Sequence, residues 1–65
     1  MTEGVLNVNI PSDPVILLSY INTKLRDEFP DADELYNSLQ ISKEDTELKL
    51  RSIGYTYSKE TNQYK

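Results

Sequence analysis

The chain contains no cysteine, no histidine and no tryptophan. Without Cys no disulfide can form, and without Cys or His there is no zinc site of that ligand type. The same absences remove the commonest general base and the best nucleophile from any catalytic scheme. Glycine occurs only at Gly4 and Gly54, so no glycine-rich phosphate loop exists. No apolar run is long enough to cross a bilayer, and the N-terminus lacks the charged start and apolar core of a signal peptide. Basic residues number seven against eleven acidic ones, a net charge of −4. The molecule therefore repels nucleic acid and acidic membranes at long range, although a local basic patch remains compatible with that balance. These absences set the expectation of a soluble cytoplasmic protein, with no membrane contact, no cofactor, no metal and no enzymatic activity.

Sixty-five residues make a single domain with a small core, near the margin of independent stability. With neither disulfides nor zinc, such a chain has two ways to gain stability: tight helix packing, or burial of surface against another chain. The residues present point to both. In DPVILLSYIN, Asp13 to Asn22, six apolar residues crowd together, more than a one-sided helix needs. At roughly 100° per residue, Pro14, Leu17, Leu18, Ile21 and Leu25 share one face, which is a sufficient core stripe. Ile16 and Tyr20 lie one turn apart on nearly the opposite side. Either this chain's own N-terminal strand or hairpin covers them, or another molecule does.

Capping signals divide the chain. Ser12 or Asp13 caps a first helix over about 14–28, with Pro14 in its first turn and Pro30 closing it. Asp31 opens a second, short helix over about 32–39, with Glu34 three residues on. Ser42 opens a third over 43–53, with Thr46, Leu50 and Ile53 facing inward and Leu48 pointing nearly the other way. Asp45 with Lys49 and Glu47 with Arg51 are i,i+4 pairs in the favourable order. Gly54 supplies a left-handed C′ position, and Tyr55 follows it within reach of Leu50. The tail YTYSKETNQYK reads as a hairpin in which Tyr57 falls opposite Tyr64 and Asn62 takes the left-handed turn position. At the other end, residues 1–9 form an arm ahead of the folded part, 10–65. Leu6, Val8 and Ile10 alternate with Asn7 and Asn9 there, a strand pattern. The expected fold is mostly α (α+β): three short helices and a C-terminal hairpin, with a possible N-terminal strand.

Five tyrosines need placing. Tyr36 and Tyr55 are assigned to the core, while Tyr57 and Tyr64 either cover the hairpin side of the core or serve as contact residues. The acids Asp27, Glu28, Asp31, Asp33 and Glu34 suggest a calcium loop, but an EF-hand fails in both registers. Counted from Asp27, the third position is Phe29 and the twelfth is Ser38; counted from Asp31, the fifth is Leu35. These acids instead suit the N-terminus of the second helix. A short helix, a brief turn at Gln40–Ser42, a helix and a hairpin is the order of a helix-turn-helix with a wing. The outward residues of the third helix would be Lys43, Glu44, Glu47, Leu48 and Arg51, a poor face for a DNA groove. The wing adds only Lys59 and Lys65.

IPSDPVILLSYINTKLRDEFPDADEL, followed by a capped helix and GYTYSKETNQY, resembles a family of small uncharacterised bacterial proteins, a domain of unknown function (family 4250). The resemblance runs from about Ile10 to Tyr64. Thr46 stands where Leu is usual in that family and Tyr64 where Phe is common. The resemblance implies a compact, mostly helical domain and no activity, substrate or cofactor. Taken together, these features suggest a non-catalytic protein-interaction module, self-associating as a homodimer or binding an unknown protein partner. Its candidate surface is Ile16, Tyr20, Leu48, Tyr57 and Tyr64. The alternative is a winged-helix-like nucleic-acid-binding or regulatory protein.

Overall fold

A computed structural model describes residues 10–65. The arm at 1–9 lies outside the described residues, and with it most of the strand read at Leu6–Ile10. Ile10 itself is in no regular element and packs against the core. Three helices precede a two-stranded antiparallel hairpin: α1 (Pro14–Asp27), α2 (Ala32–Leu39), α3 (Lys43–Ser52), β1 (Tyr57–Ser58) and β2 (Gln63–Tyr64).

Each helix starts where a short polar side chain takes up orphaned backbone N–H groups. The Asp13 carboxylate accepts from the amides of Val15 and Ile16, both at 3.1 Å, and Pro14 begins the helix where no N–H is needed. Asp31 accepts from Glu34 N–H at 2.8 Å, and Ser42 from Asp45 N–H at 3.1 Å. α1 ends one residue earlier than the sequence predicts, because the Lys24 carbonyl accepts the N–H groups of both Glu28 and Phe29. α3 likewise stops at Ser52, with Ile53 as its cap. Gly54 follows at φ +88°. Its N–H bonds to Arg51 O at 2.9 Å and that of Tyr55 to Leu50 O at 3.0 Å, the paired bonds of a Schellman ending.

The core combines Leu17, Ile21 and Leu25 of α1 with Ala32, Leu35 and Tyr36 of α2, Leu50 of α3 and Tyr64 of β2. The inner face of α3 is as expected, with Thr46 and Leu50 buried and Ile53 half-buried. Leu18, Tyr20, Phe29 and Tyr55 pack against this cluster from its edge.

Hairpin register is Tyr57 opposite Tyr64 and Ser58 opposite Gln63, and Asn62 adopts the left-handed turn conformation at φ +55°. A hairpin this short is not stable alone. Two asparagines tie it to α1. Asn22 Nδ2 donates to Tyr64 O at 3.0 Å, while its Oδ1 accepts Tyr64 N–H at 2.8 Å. Asn62 Nδ2 donates to the carbonyls of Leu25 and Phe29 at 3.1 and 3.0 Å, at the frayed end of α1. The Gln63 amide donates to Asn22 O at 3.0 Å.

Ion pairing departs from expectation. Among the described residues the pairs are Lys24–Glu28, Arg26–Asp27 and Lys43–Asp33, all exposed and so of small energetic weight. The Asp45–Lys49 and Glu47–Arg51 pairs read from helical spacing do not form. Glu47 has a stronger partner, described below.

Replacing Asn22 with Ala removes both bonds to the Tyr64 backbone and is expected to cost about 2 kcal/mol of stability. Urea unfolding measures this, and a loss indistinguishable from zero would mean that the hairpin does not depend on the clamp.

Candidate functional site

The residues singled out by the sequence fall into two groups. Ile16 is 58% exposed and Leu48 58%. Val15, next to Ile16, is 63% exposed. Tyr20 is half-buried, one turn beyond Ile16, with the Lys24 ammonium 5.6 Å from its ring centroid. α1 therefore carries its apolar residues well past the stripe that faces the core. The second group is interior. Tyr64, named as a candidate contact residue, is only 2% exposed and offers no ring to a partner. Tyr57 is half-buried against it, ring centroids 5.3 Å apart and tilted by 53°. Tyr57 is therefore only partly accessible to a partner.

A buried hydrogen-bond chain links three elements. Tyr64 Oη lies 2.8 Å from Tyr36 Oη and 2.7 Å from Glu47 Oε2. A carboxylate can only accept, so Tyr64 donates its single proton to Glu47 and accepts that of Tyr36. Helical spacing sets Glu47 outward on the third helix as a partner of Arg51; it turns inward instead because Tyr64 presents a donor there. Burial is the main cause that raises the Tyr36 hydroxyl from 10 to about 12. Burial, reinforced by its bonds to Tyr36 and Glu47, also pushes Tyr64 up. Both phenols are therefore neutral at physiological pH.

Tyr57 closes a second network, its hydroxyl donating to Asn62 Oδ1 at 2.6 Å. The acids between α1 and α2 are individually occupied: Asp27 by Arg26, Glu28 by Lys24, Asp31 by the α2 cap, Asp33 by Lys43. Among the described residues no three acidic side chains converge as metal ligands would, nor is any helix long and apolar enough to cross a membrane.

Two hollows lie between the hairpin and the helices. The larger, about 270 Å³, is lined by Asp31, Ala32, Asp33, Lys43, Tyr57 and Lys59. The smaller, about 70 Å³, is bounded by Glu47 and Arg51 of α3 and by Tyr55, Thr56, Tyr57 and Tyr64. Sequence reading identified neither hollow, because each joins residues far apart in the chain.

With this geometry in view, the chain is assigned by similarity. The family model described as a domain of unknown function (DUF4250) matches residues 11–64, and the chain belongs to that family. No curated protein and no solved structure matches it.

Two outcomes follow from the tyrosine chain. Tyr64→Phe strands the buried Tyr36 hydroxyl and is expected to cost about 1–2 kcal/mol, while Tyr36→Phe combined with Tyr64→Phe costs less than the two single losses added, because both partners leave together. A double-mutant cycle by urea unfolding reads this, and strict additivity would contradict the bond between the two hydroxyls. Alkali also acts through Tyr36. Its folded value lies above the unfolded 10, so its contribution is fully present below pH 10 and is lost as pH rises toward about 12. Thermal melts across that window should show a falling midpoint in the wild type and a smaller fall in Tyr36→Phe.

Proposed function

We propose that the domain is a small non-catalytic protein-interaction module that uses the outward face of α1, and that its first partner is a second copy of itself. The observation that carries this reading is the run Val15–Ile16, exposed at 63% and 58%, continued one turn on by the half-buried Tyr20. Single exposed apolar residues are ordinary. Two large ones side by side at a well-capped helix start, in a chain with so little apolar material, suit a surface completed by association. The absence of His and Cys from the chain and the neutral state of the buried phenols weigh against catalysis. The reading has the domain soluble in the cytoplasm, where a chain without cysteine is indifferent to reducing conditions.

The element order of α2, turn, α3 and hairpin favours a second reading, a winged-helix-like nucleic-acid binder. Its groove-facing helix would present Glu44, Leu48 and a Lys43 already paired with Asp33, which suits phosphate poorly. Heparin chromatography at low salt separates the readings: the interaction module flows through, whereas a nucleic-acid binder is retained and released steeply as salt rises.

Sedimentation equilibrium across a wide concentration range tests the first reading directly. The wild type is expected to dimerise and Ile16→Glu to remain monomeric with its thermal midpoint little changed, since the side chain is mostly outside the core. A wild type that stays monomeric at high micromolar concentration would remove self-association through α1.

A further inference from the structure

The two edges of the hairpin are treated differently. Thr56 and Lys65 exchange both backbone bonds, Thr56 N to Lys65 O at 3.4 Å and Lys65 N to Thr56 O at 2.9 Å. Alternation along an antiparallel ladder then makes Tyr57–Tyr64 the non-bonded pair, so the N–H and C=O of both residues point away from the hairpin. On the β2 side they are met by the Asn22 amide, which donates to one and accepts from the other as a neighbouring strand would. On the β1 side the N–H and C=O of Tyr57 have no partner among the described residues.

Tyr57 lines both hollows, and their opposite wall is α3, through Lys43 in one and Glu47 and Arg51 in the other. These three residues are spaced four apart and share one helix face. The two hollows thus meet at Tyr57, whose backbone hydrogen-bonding groups are unpaired among the described residues.

Its charges indicate what fits. Lys43 is held by Asp33, Glu47 by the Tyr64 hydroxyl, and Asp31 by the α2 cap. The side chains of Arg51 and Lys59, one in each hollow, form no ion pair or hydrogen bond among the described residues. Each hollow therefore holds one cation without an ion-pair partner among the described residues, beside carboxylates that keep their charge. A second copy pairing antiparallel about Tyr57 would swing its own Lys59 toward the Arg51 end, like charge toward like. An acidic side chain at either end instead meets an unpaired cation.

We propose that the β1 edge accepts an extended peptide strand from another protein, hydrogen-bonded to the Tyr57 backbone and flanked by acidic side chains that reach Arg51 and Lys59. This is strand addition to an exposed sheet edge. The proposal rests on the interaction-module reading but uses a different surface from the outward face of α1.

The test is an amide NMR titration of the full chain with a synthetic end-capped peptide, a Val-Thr-Val centre between pairs of Glu. One control peptide replaces the acids with Lys and another places Pro at the centre. The acidic peptide is expected to shift the Tyr57 amide downfield and slow its hydrogen exchange at millimolar concentration. The Lys-flanked peptide should bind about fivefold or more weakly, the scale of exposed ion pairs. In the variant carrying Arg51→Glu and Lys59→Glu the order of the two peptides should reverse. The absence of any Tyr57 shift at millimolar peptide, or an equal response to the Pro peptide, would overturn the proposal; so would shifts confined to Val15 and Ile16. If the peptide binds while sedimentation finds only monomer, the α1 dimer alone falls. If the dimer forms while the peptide leaves Tyr57 unmoved, strand addition alone falls.

Discussion

The amide of Asn22 is the contact on which the rest of this structure depends. A two-stranded hairpin of four paired residues cannot hold its shape in water. The Asn22 side chain accepts and donates on the outer edge of Tyr64 and so stands in for a third strand. It also places the hairpin on α1 in one register, because a slip of a single residue would turn Tyr64 from the core to solvent. Asn62 repeats the device one turn further along, where the end of α1 leaves the carbonyls of Leu25 and Phe29 open to accept.

Once Tyr64 is delivered to the core, the other polar features of the interior follow. Its ring fills the space among α1, α2 and α3 beside Leu17, Ile21 and Leu50. A hydroxyl at that depth must be satisfied, and Tyr36 and Glu47 satisfy it from two different helices. The chain of bonds draws Glu47 inward and leaves Arg51 without an acid to pair with among the described residues. The closed β2 edge, the open β1 edge and the free Arg51 thus share one origin in how the tail docks.

Most of the fold was legible in the sequence because its signals are local. Asp13, Asp31 and Ser42 cap helices within three residues of themselves, Gly54 ends α3 through its own φ, and the turn length alone sets Tyr57 against Tyr64. The inward stripe of α1 follows from helical angle, and the exposure of Ile16 and Leu48 is what remains once that stripe is assigned. What was not legible lies in polar residues that bond across the chain. Asn22 carries no periodicity and resembles any solvent-facing helix residue until Tyr64 arrives beside it. Glu47 has an ideally spaced basic residue one turn on, so helical reasoning pairs it with Arg51; a buried phenol donor is the better partner, and nothing local announces it. For the same reason the sequence sets Tyr64 among the contact residues. An aromatic near the end of a tail carries the same local signature whether it covers a core or completes one.

The β2 edge is closed by Asn22 while the β1 edge is unpaired among the described residues, and native-state amide hydrogen exchange reads both edges in one experiment. The Tyr64 amide should exchange only with global unfolding, and the Tyr57 amide orders of magnitude faster. Equal, rapid exchange at both positions would contradict the clamp, and with it the account of how the tail is held on α1.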